Sequence, residues 1–470
     1  VELAEDVELF HTPGHDSDGY ATIDIEGHRE TWPVNSRGFK RWLAKRFYDE
    51  HRKVPGAHAF QDALNVIGGK AVHEGAEYPV ATRVAQRDGR IWLDLADAGW
   101  RTVRIGPKGW AVVRESPIKF VRRRGVLALP EPVLGGSIDE LRPLLNVPKD
   151  DDWVMFVAWI VAGFRPDRPF PILSVNGEQG SAKSTFCKMG RNLIDPNEAP
   201  LRRPPRDERD LMIAAQNGWV VSFDNLSGIR PDLSDGLCSL ATGGDFGTRA
   251  LYSDDDEKLF SSKRPVLLNG IEDVATRSDL IDRSIVLTLP AIPDGQRRDE
   301  DTLWKRYERI RPRVLGALLD AVATGLLNLP DVKLGAMPRM ADFARWVVAC
   351  EPALGWRSGT FLRAYNCNRA AANQDAIDSS PIARYLLGLI GDSNNSSWTG
   401  TATRLLAKLN GIAGDSTKRL WAWPQSPRGL SGQLRRLAPN LRRANVHVEF
   451  EHTGERQQIT IRRAQPESAR

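Results

Sequence analysis

Lys183 and Ser184 close the stretch Pro171-Ile-Leu-Ser-Val-Asn-Gly-Glu-Gln-Gly-Ser-Ala-Lys-Ser-Thr185, which reads as a buried strand, a glycine-rich turn and the start of a helix. That layout is a phosphate-binding P-loop. A tight loop of small residues aims backbone N–H groups at a β-phosphate, a lysine reaches the β/γ oxygens, and a hydroxyl binds Mg²⁺. The candidate cradle is Gly177, Glu178, Gln179, Gly180, Ser181, Ala182, Lys183, Ser184 and Thr185. Ala182 replaces the usual glycine before the lysine, and its methyl is tolerated there if φ stays negative.

Three further runs end in polar residues. Trp219-Val-Val-Ser-Phe-Asp224-Asn225 is an apolar run ending in a carboxylate, as expected of a buried parallel strand that presents a Mg²⁺ ligand. Ser184 and Asp224 are thus the candidate metal ligands. Arg264-Pro-Val-Leu-Leu-Asn269-Gly270 ends in an amide suited to orienting water or sensing a γ-phosphate. Asp279-Leu-Ile-Asp-Arg283-Ser-Ile-Val-Leu-Thr-Leu-Pro290 sets an arginine before another apolar strand. The bland alternative is four core strands with polar ends. Each polar residue, however, falls where a nucleotide site in an open α/β sheet needs it.

This ordered set resembles the superfamily 3 helicases of the AAA+ ATPases, and more closely the ATPase half of phage- and plasmid-encoded primase–helicase proteins. The resemblance covers about residues 135–295 well. It implies an ATP- and Mg²⁺-dependent ring, usually a hexamer, that translocates on single-stranded or forked DNA. By that resemblance Lys183 and Ser184 match Walker A, Asp224 matches Walker B, and Asn269 matches the sensor asparagine. Arg283 matches the arginine finger that reaches a neighbouring subunit's ATP, with Arg277 as runner-up. Many relatives carry two acids at the end of the Walker B strand, whereas Asn225 follows Asp224 here. The general base is therefore open: Glu178 is one candidate, and positioning of water by Asp224 and Asn225 is the other.

At 470 residues the chain has room for two to four domains. A hydrophobic content of 41% with 27% charged residues fits a soluble globular protein. No uninterrupted apolar run reaches 18 residues, so no membrane span is expected. The four cysteines include no CxxC pair, which suits a reduced, cytoplasmic protein. The first residues lack a signal pattern and also lack Met, so a fragment is expected, and a primase domain often precedes this ATPase in similar proteins. His11, His15, Asp16 and Asp18 superficially suggest a metal, but the intervening Thr-Pro-Gly argues for a linker.

The elements divide the chain into four parts: 1–134, α+β with an irregular lead-in over residues 1–30; 135–299, an AAA+ P-loop core led in by two collar helices over 137–163; 300–379, helical; and 380–470, winged-helix-like. Short alternating runs from Tyr78 to Val113 predict a β meander. Between Asp224 and Asn269 the sequence predicts a hairpin with an acidic turn, where the resembled helicases carry a basic DNA-gripping tip. Arg249 and Lys258 are its nearest cations. In the last part, three helices and a hairpin are expected, with a helix starting at Trp398. From Lys418 to Arg470 the chain holds 11 Lys/Arg and 4 Asp/Glu, a net +7 against +5 for the whole. That excess argues for phosphate contact through Arg428, Arg435, Arg436 and, in the hairpin, Arg456. The reading that joins these parts is a DNA helicase of phage or mobile-element replication. The alternatives are an initiator that uses ATP only to assemble on a duplex site, and an ATPase switch in an anti-phage or packaging system.

Overall fold

The computed structural model describes the chain except residues 15–16, 167, 227, 250–256, 262, 271–277, 392–396, 421, 454–455 and 464–470, with residues 245–249, 257–261, 278, 452–453 and 456 described by backbone alone. Strands β1 (Glu8–His11), β2 (Gly19–Ile25) and β3 (His28–Pro33) precede helices α1 (Arg37–His51) and α2 (Ala57–His73). With β4 (Ala76–Glu77) they form a sheet of order β3-β2-β1-β4. The irregular lead-in expected over residues 1–30 is therefore corrected to a sheet. Its β2–β3 turn, Glu26-Gly27, has φ of 50° and 82°, the left-handed pair that suits the twist of a two-residue hairpin. His11 ends β1, and its Nδ1 bonds Thr12 O at 3.1 Å. His15 and Asp16 lie outside the described residues, and no metal-binding group of three His, Cys, Asp or Glu occurs among those described.

The predicted meander is present as β6 (Val84–Arg87), β7 (Arg90–Asp94), β8 (Thr102–Gly106) and β9 (Gly109–Val113), an antiparallel sheet in chain order. It is flanked by the two-stranded parallel pair β5 (Val80–Ala81) and β10 (Lys119–Phe120). Of the two helices expected over residues 137–163, the second is present as α3 (Asp150–Ala162), while the first is replaced by two 3₁₀ turns, Ile138–Glu140 and Arg142–Leu144. Pro143 and Pro148 deny the first stretch an α-helical ladder. Three aspartates in the first turn of α3 complement the positive end of its dipole, and every residue from Trp153 to Ala162 is buried. This helix is a core element, buried as its apolar run predicts.

That sheet is parallel, with order β12-β15-β11-β16, from β11 (Ile172–Gly177), β12 (Val221–Leu226), β15 (Val266–Gly270) and β16 (Ser284–Leu289). The fold class is mixed α/β. Side chains alternate between two faces, as the period of 2 requires. Leu173, Val175, Leu267 and Ile285 join α3 and helix α4 (Lys183–Asn192) in one core. Ile172, Val221, Val266 and Leu268 join α5 (Glu208–Gln216) and α6 (Pro231–Thr242) in a second. Between α6 and β15, strands β13 (Asp245–Arg249) and β14 (Glu257–Ser261) form the expected hairpin, with Arg249 paired to Glu257 and Thr248 to Lys258 in register. Its acidic turn lies outside the described residues. The short helix α7 (Ser278–Ile281) leads into β16.

The helical part expected after residue 300 comprises α8 (Glu300–Asn328), α9 (Ala341–Cys350) and α10 (Thr360–Asp378). Among the described residues one helix, Glu300–Asp331, is long and apolar enough to cross a membrane. An 18-residue window of it averages a hydropathy of 1.3, and 56% of that window is buried in the molecule. Counting uninterrupted apolar runs overlooked it, because Asp320 interrupts the apolar half that follows the charged first turns.

The last part holds α11 (Pro381–Ile390), β17 (Ser397–Thr401), α12 (Ala402–Ile412), α13 (Asp415–Lys418), α14 (Pro427–Arg443), β18 (Val446–Thr453) and β19 (Arg456–Arg463). The helix expected to start at Trp398 starts at Ala402 instead. Residues 397–401 pair with β19 as a third strand, and Thr401 caps the helix by accepting from Arg404 N at 3.4 Å.

Candidate functional site

The glycine-rich loop joins β11 to α4. Gly177 has φ of 151°, and a Cβ there would stand 2.5 Å from Leu289 O, so the turn requires glycine. Ala182 has φ of 60° and ψ of 29°, which corrects the negative φ expected of it. The loop holds an alanine in left-handed backbone directly before the helix that points its N–H groups outward. Ser181 Oγ donates to Glu178 O at 2.8 Å. Asn146, in the lead-in before α3, donates from Nδ2 to Ser181 O at 3.0 Å and to Pro290 O at 2.7 Å, tying the loop to the end of β16. Lys183 Nζ donates to Gly177 O and Glu178 O at 2.7 Å, along the rim of the loop. Partial burial lowers the Lys183 ammonium from its ordinary pKa, and the neighbouring Asp224 carboxylate works against that shift.

Lys183, Ser184, Asp224 and Asn269 all sit at the C-terminal ends of parallel strands or at the following helix start. Ser184 Oγ donates to Asp224 Oδ1 at 3.4 Å. Asn269 Nδ2 donates to Ser184 Oγ at 3.2 Å and also to Asp224 Oδ1. The strand carrying Asn269 lies between the other two, so its amide reaches both partners. The β12–β15 register breaks between Phe223 and Leu226, around Asp224, and Asn225 adopts φ of 56° and donates its N–H to Asp224 Oδ1 at 3.0 Å. Asn225 and Glu178 are exposed. Asn269 is 2% exposed, yet its Oδ1 has no hydrogen-bond partner among the described residues. The Ser184 hydroxyl and the Asp224 carboxylate form a hard-oxygen pair that suits Mg²⁺, which takes one or two protein carboxylates and completes its shell with phosphate and water.

Beside the loop is a cavity of about 710 Å³, lined among others by Leu144, Leu145, Asn146, Phe186, Ile292, Arg297 and Leu303. The apolar wall and the Asn146 amide suit a purine ring. Arg297 Nη2 would lie 3.3 Å from a Cβ at Gly180, so a second cation stands over the loop. Sequence reading missed Asn146 and Arg297.

Residues 138–375, just over half of the chain, match the family described as actinomycete integrative conjugative element replication protein. The chain belongs to that family. Residues 382–469 match the AICE RepA C-terminal domain. No curated protein matches. Two solved A-form apo structures of the NrS-1 C-terminal region match at 10% identity. One has a TM-score of 0.38 and covers 98% of this chain and 97% of that chain; the other has 0.35 and covers 97% and 96%. Scores this low carry no argument. A replication protein of a mobile element agrees with the sequence reading.

In this replication protein Arg283 is not brought to its own chain's loop. Ile172 N donates to Arg283 O at 2.9 Å, which sets Arg283 level with the start of β11. Gly177 ends that strand, roughly 16 Å away at about 3.3 Å per residue. Arg283 is half-buried, and its Nη1 donates to Asp279 O at 3.0 Å. Arg277 lies outside the described residues, and the side chains of Arg249, Lys258 and Arg456 are not described.

Arg428, Arg435 and Arg436 are exposed on α14, whose Leu430, Leu434 and Leu441 face the core. Arg435 stands 4.8 Å over the Phe450 ring of β18. The C-terminal end of α14 docks on the helical part, where Asn373 Nδ2 donates to Asn440 O at 3.1 Å. The first turns of α14 remain open to solvent.

Proposed function

We propose that this replication protein is an ATP-hydrolysing, AAA+-like DNA helicase or translocase that works as a ring. The observation that carries the reading is the convergence of Ser184, Asp224 and Asn269 beside a glycine-rich loop and a lysine at a helix start. Lys183 and the loop N–H groups bind the β/γ-phosphates, and the apolar cavity with Asn146 takes the base. Mg²⁺, held by Ser184 and Asp224, would supply charge neutralisation at the phosphates. Asn269 orients the attacking water. Arg283, at the far end of the sheet, completes the site of a neighbouring chain.

The exposed α14 arginines and the net +7 of the last 53 residues support DNA backbone contact by a winged-helix-like unit. A primase, as a neighbouring domain or a separate protein, fits the same reading as a partner. Asn225 in place of a second acid favours one other reading, in which ATP binding assembles the chain on DNA with little turnover.

The deciding experiment measures phosphate release and strand displacement on a forked substrate, for wild type and Lys183→Ala. The helicase reading expects both activities in the wild type and neither in a folded variant. Little turnover and no displacement in the wild type would leave an assembly switch. Equal turnover in the variant would remove the loop from catalysis.

A further inference from the structure

We infer that Arg339, Arg369 and Arg443, gathered on the carboxylate of Asp282, form a second phosphate-binding site, one that takes the backbone of duplex DNA. Asp282 shortly precedes β16, an edge strand of the parallel sheet, at the end away from the glycine-rich loop. Arg339 comes from the segment before α9, Arg369 from α10 and Arg443 from the last turn of α14. All three guanidinium groups come within 3.5 Å of the Asp282 oxygens.

The charges in this cluster do not balance. Among the described residues Asp282 is the one acid that pairs with any of the three, so one negative charge faces three positive ones. The buried Tyr365 side chain beside them meets the same set: Arg369, Arg443 and Arg339 against Asp282 alone. The carboxyl end of α14 adds a partial negative charge of about one half, which leaves the sum well above zero. A guanidinium does not give up its proton in a protein, so the excess cannot be discharged by titration. One guanidinium suffices to pair a buried acid. Two more held against it repel each other, and an anion bound between them relieves that cost.

The cations are open to a ligand. The side chains of Arg339, Arg443 and Arg369 are 41%, 37% and 22% exposed, whereas that of Asp282 is 8% exposed. Each guanidinium carries five N–H donors in a planar fork, of which the carboxylate occupies only part. The remaining donors match the oxygens of a phosphate, which a guanidinium takes in pairs. Helix α14 supplies the source. Seven residues separate the exposed Arg436 from Arg443, close to two turns, so both lie on one face about 10 Å apart along the axis. A DNA backbone lying along that face passes from the winged-helix-like unit to the edge of the parallel sheet.

DNA as the source of phosphate rests on the proposed function, whereas the charge excess does not. The test therefore uses the full chain without nucleotide and in EDTA, and anisotropy of a labelled duplex is read over a salt series. Arg339→Gln leaves two guanidinium groups on Asp282, so the fold is kept. It should weaken binding roughly tenfold and lower the salt slope by about 0.9, one phosphate's share. Arg306→Gln, which removes an exposed arginine of α8, is the control for lost charge alone and should change little. Asp282→Asn raises the excess from two charges to three and should tighten binding. If the arginines served only to hold the acid, that variant would bind no better. Duplex binding in Arg339→Gln equal to that of Arg306→Gln would overturn DNA as the source. If ATP-dependent self-association, read by light scattering, were unchanged as well, a neighbour's nucleotide would be excluded too and the site itself overturned. A folded Asp282→Asn chain that binds the duplex more weakly would also overturn it. Duplex binding that behaves as expected in a chain without ATP turnover would sink the helicase reading alone.

Discussion

Arg443 of α14 places Nη2 2.6 Å from Asp282 Oδ1, and Asp282 directly precedes Arg283. The same carboxylate, 8% exposed, holds Arg339 at 2.6 Å and Arg369 at 3.5 Å. One buried acid thus gathers arginines from the segment before α9, from α10 and from the basic C-terminal part. Where α14 sits and where Arg283 sits are set by a shared contact.

Arg443→Ala should therefore loosen the link between DNA binding and turnover. Two guanidinium groups still neutralise Asp282, so the fold should survive. DNA stimulation of ATP hydrolysis should fall by roughly 0.5–2 kcal/mol of coupling, with basal turnover retained. Steady-state hydrolysis with and without single-stranded DNA reads this directly, and unchanged stimulation would show the contact to be structural only.

Arg283→Ala should cost on the order of 10³-fold or more in turnover, as arginine fingers do. Mixing it with Lys183→Ala chains should restore part of the rate, since each variant supplies what the other lacks. A mixture no better than the sum of its parts would mean that Arg283 does not act on a neighbour.

Ala182→Gly should stabilise the loop. Left-handed backbone costs a residue with a Cβ roughly 1–2 kcal/mol, and the added freedom of glycine in the unfolded chain offsets about 0.4–1 kcal/mol of that. A slightly higher melting temperature with unchanged or tighter ATP binding is expected. A clear drop in melting temperature would show that the methyl makes a favourable contact.

Asp195 governs acid stability. Burial alone would push its carboxyl up, but Arg83, Arg191 and main-chain N–H groups outweigh burial and hold it below the usual value. Arg83 Nε donates to its Oδ1 at 3.0 Å, and Trp219 N and Val220 N donate to its Oδ2 at 2.9 and 3.1 Å. With the folded value depressed, its contribution is present above the unfolded value of about 3.9 and is lost as pH falls through the folded value. Asp195→Asn should destabilise by about 3–5 kcal/mol at neutral pH by leaving buried cations unpaired. The gap to wild type should close in acid. Melting curves from neutral pH down to the acid limit would show it, and a constant gap would contradict the assignment.

Arg297→Ala should raise the KM for ATP more than it lowers kcat, because Arg297 stands over the loop, away from Asp224 and Asn269. Initial rates over a range of ATP concentrations separate the two, and an unchanged KM would place Arg297 outside the nucleotide site.

Asp224 and Asn269 were legible because each ends an apolar run, and a parallel sheet brings such ends to one edge. Lys183 and Ser184 were legible because they follow a glycine-rich turn at a helix start. The left-handed Ala182 and the register break at Asp224 were not legible, since both depend on neighbouring strands. Asn146 and Arg297 reach the loop from outside the core strands, with no local pattern to mark them. The N-terminal sheet was missed because β1 is short and β2 is buried at four consecutive positions, Tyr20 to Ile23, so neither shows a clear alternation. The third strand at Ser397–Thr401 was hidden by a threonine that serves as strand end and helix cap at once.

The alternation in β15 bears on how this gene can change. Val266 and Leu268 face one apolar layer, while Leu267 faces the other. A single-residue insertion or deletion upstream in that strand would exchange the faces. An insertion would carry Leu268 into the polar cluster at the strand ends, and a deletion would press Asn269 into hydrocarbon. Point changes among Val, Ile and Leu can accumulate here without harm, but the length of the strand is fixed.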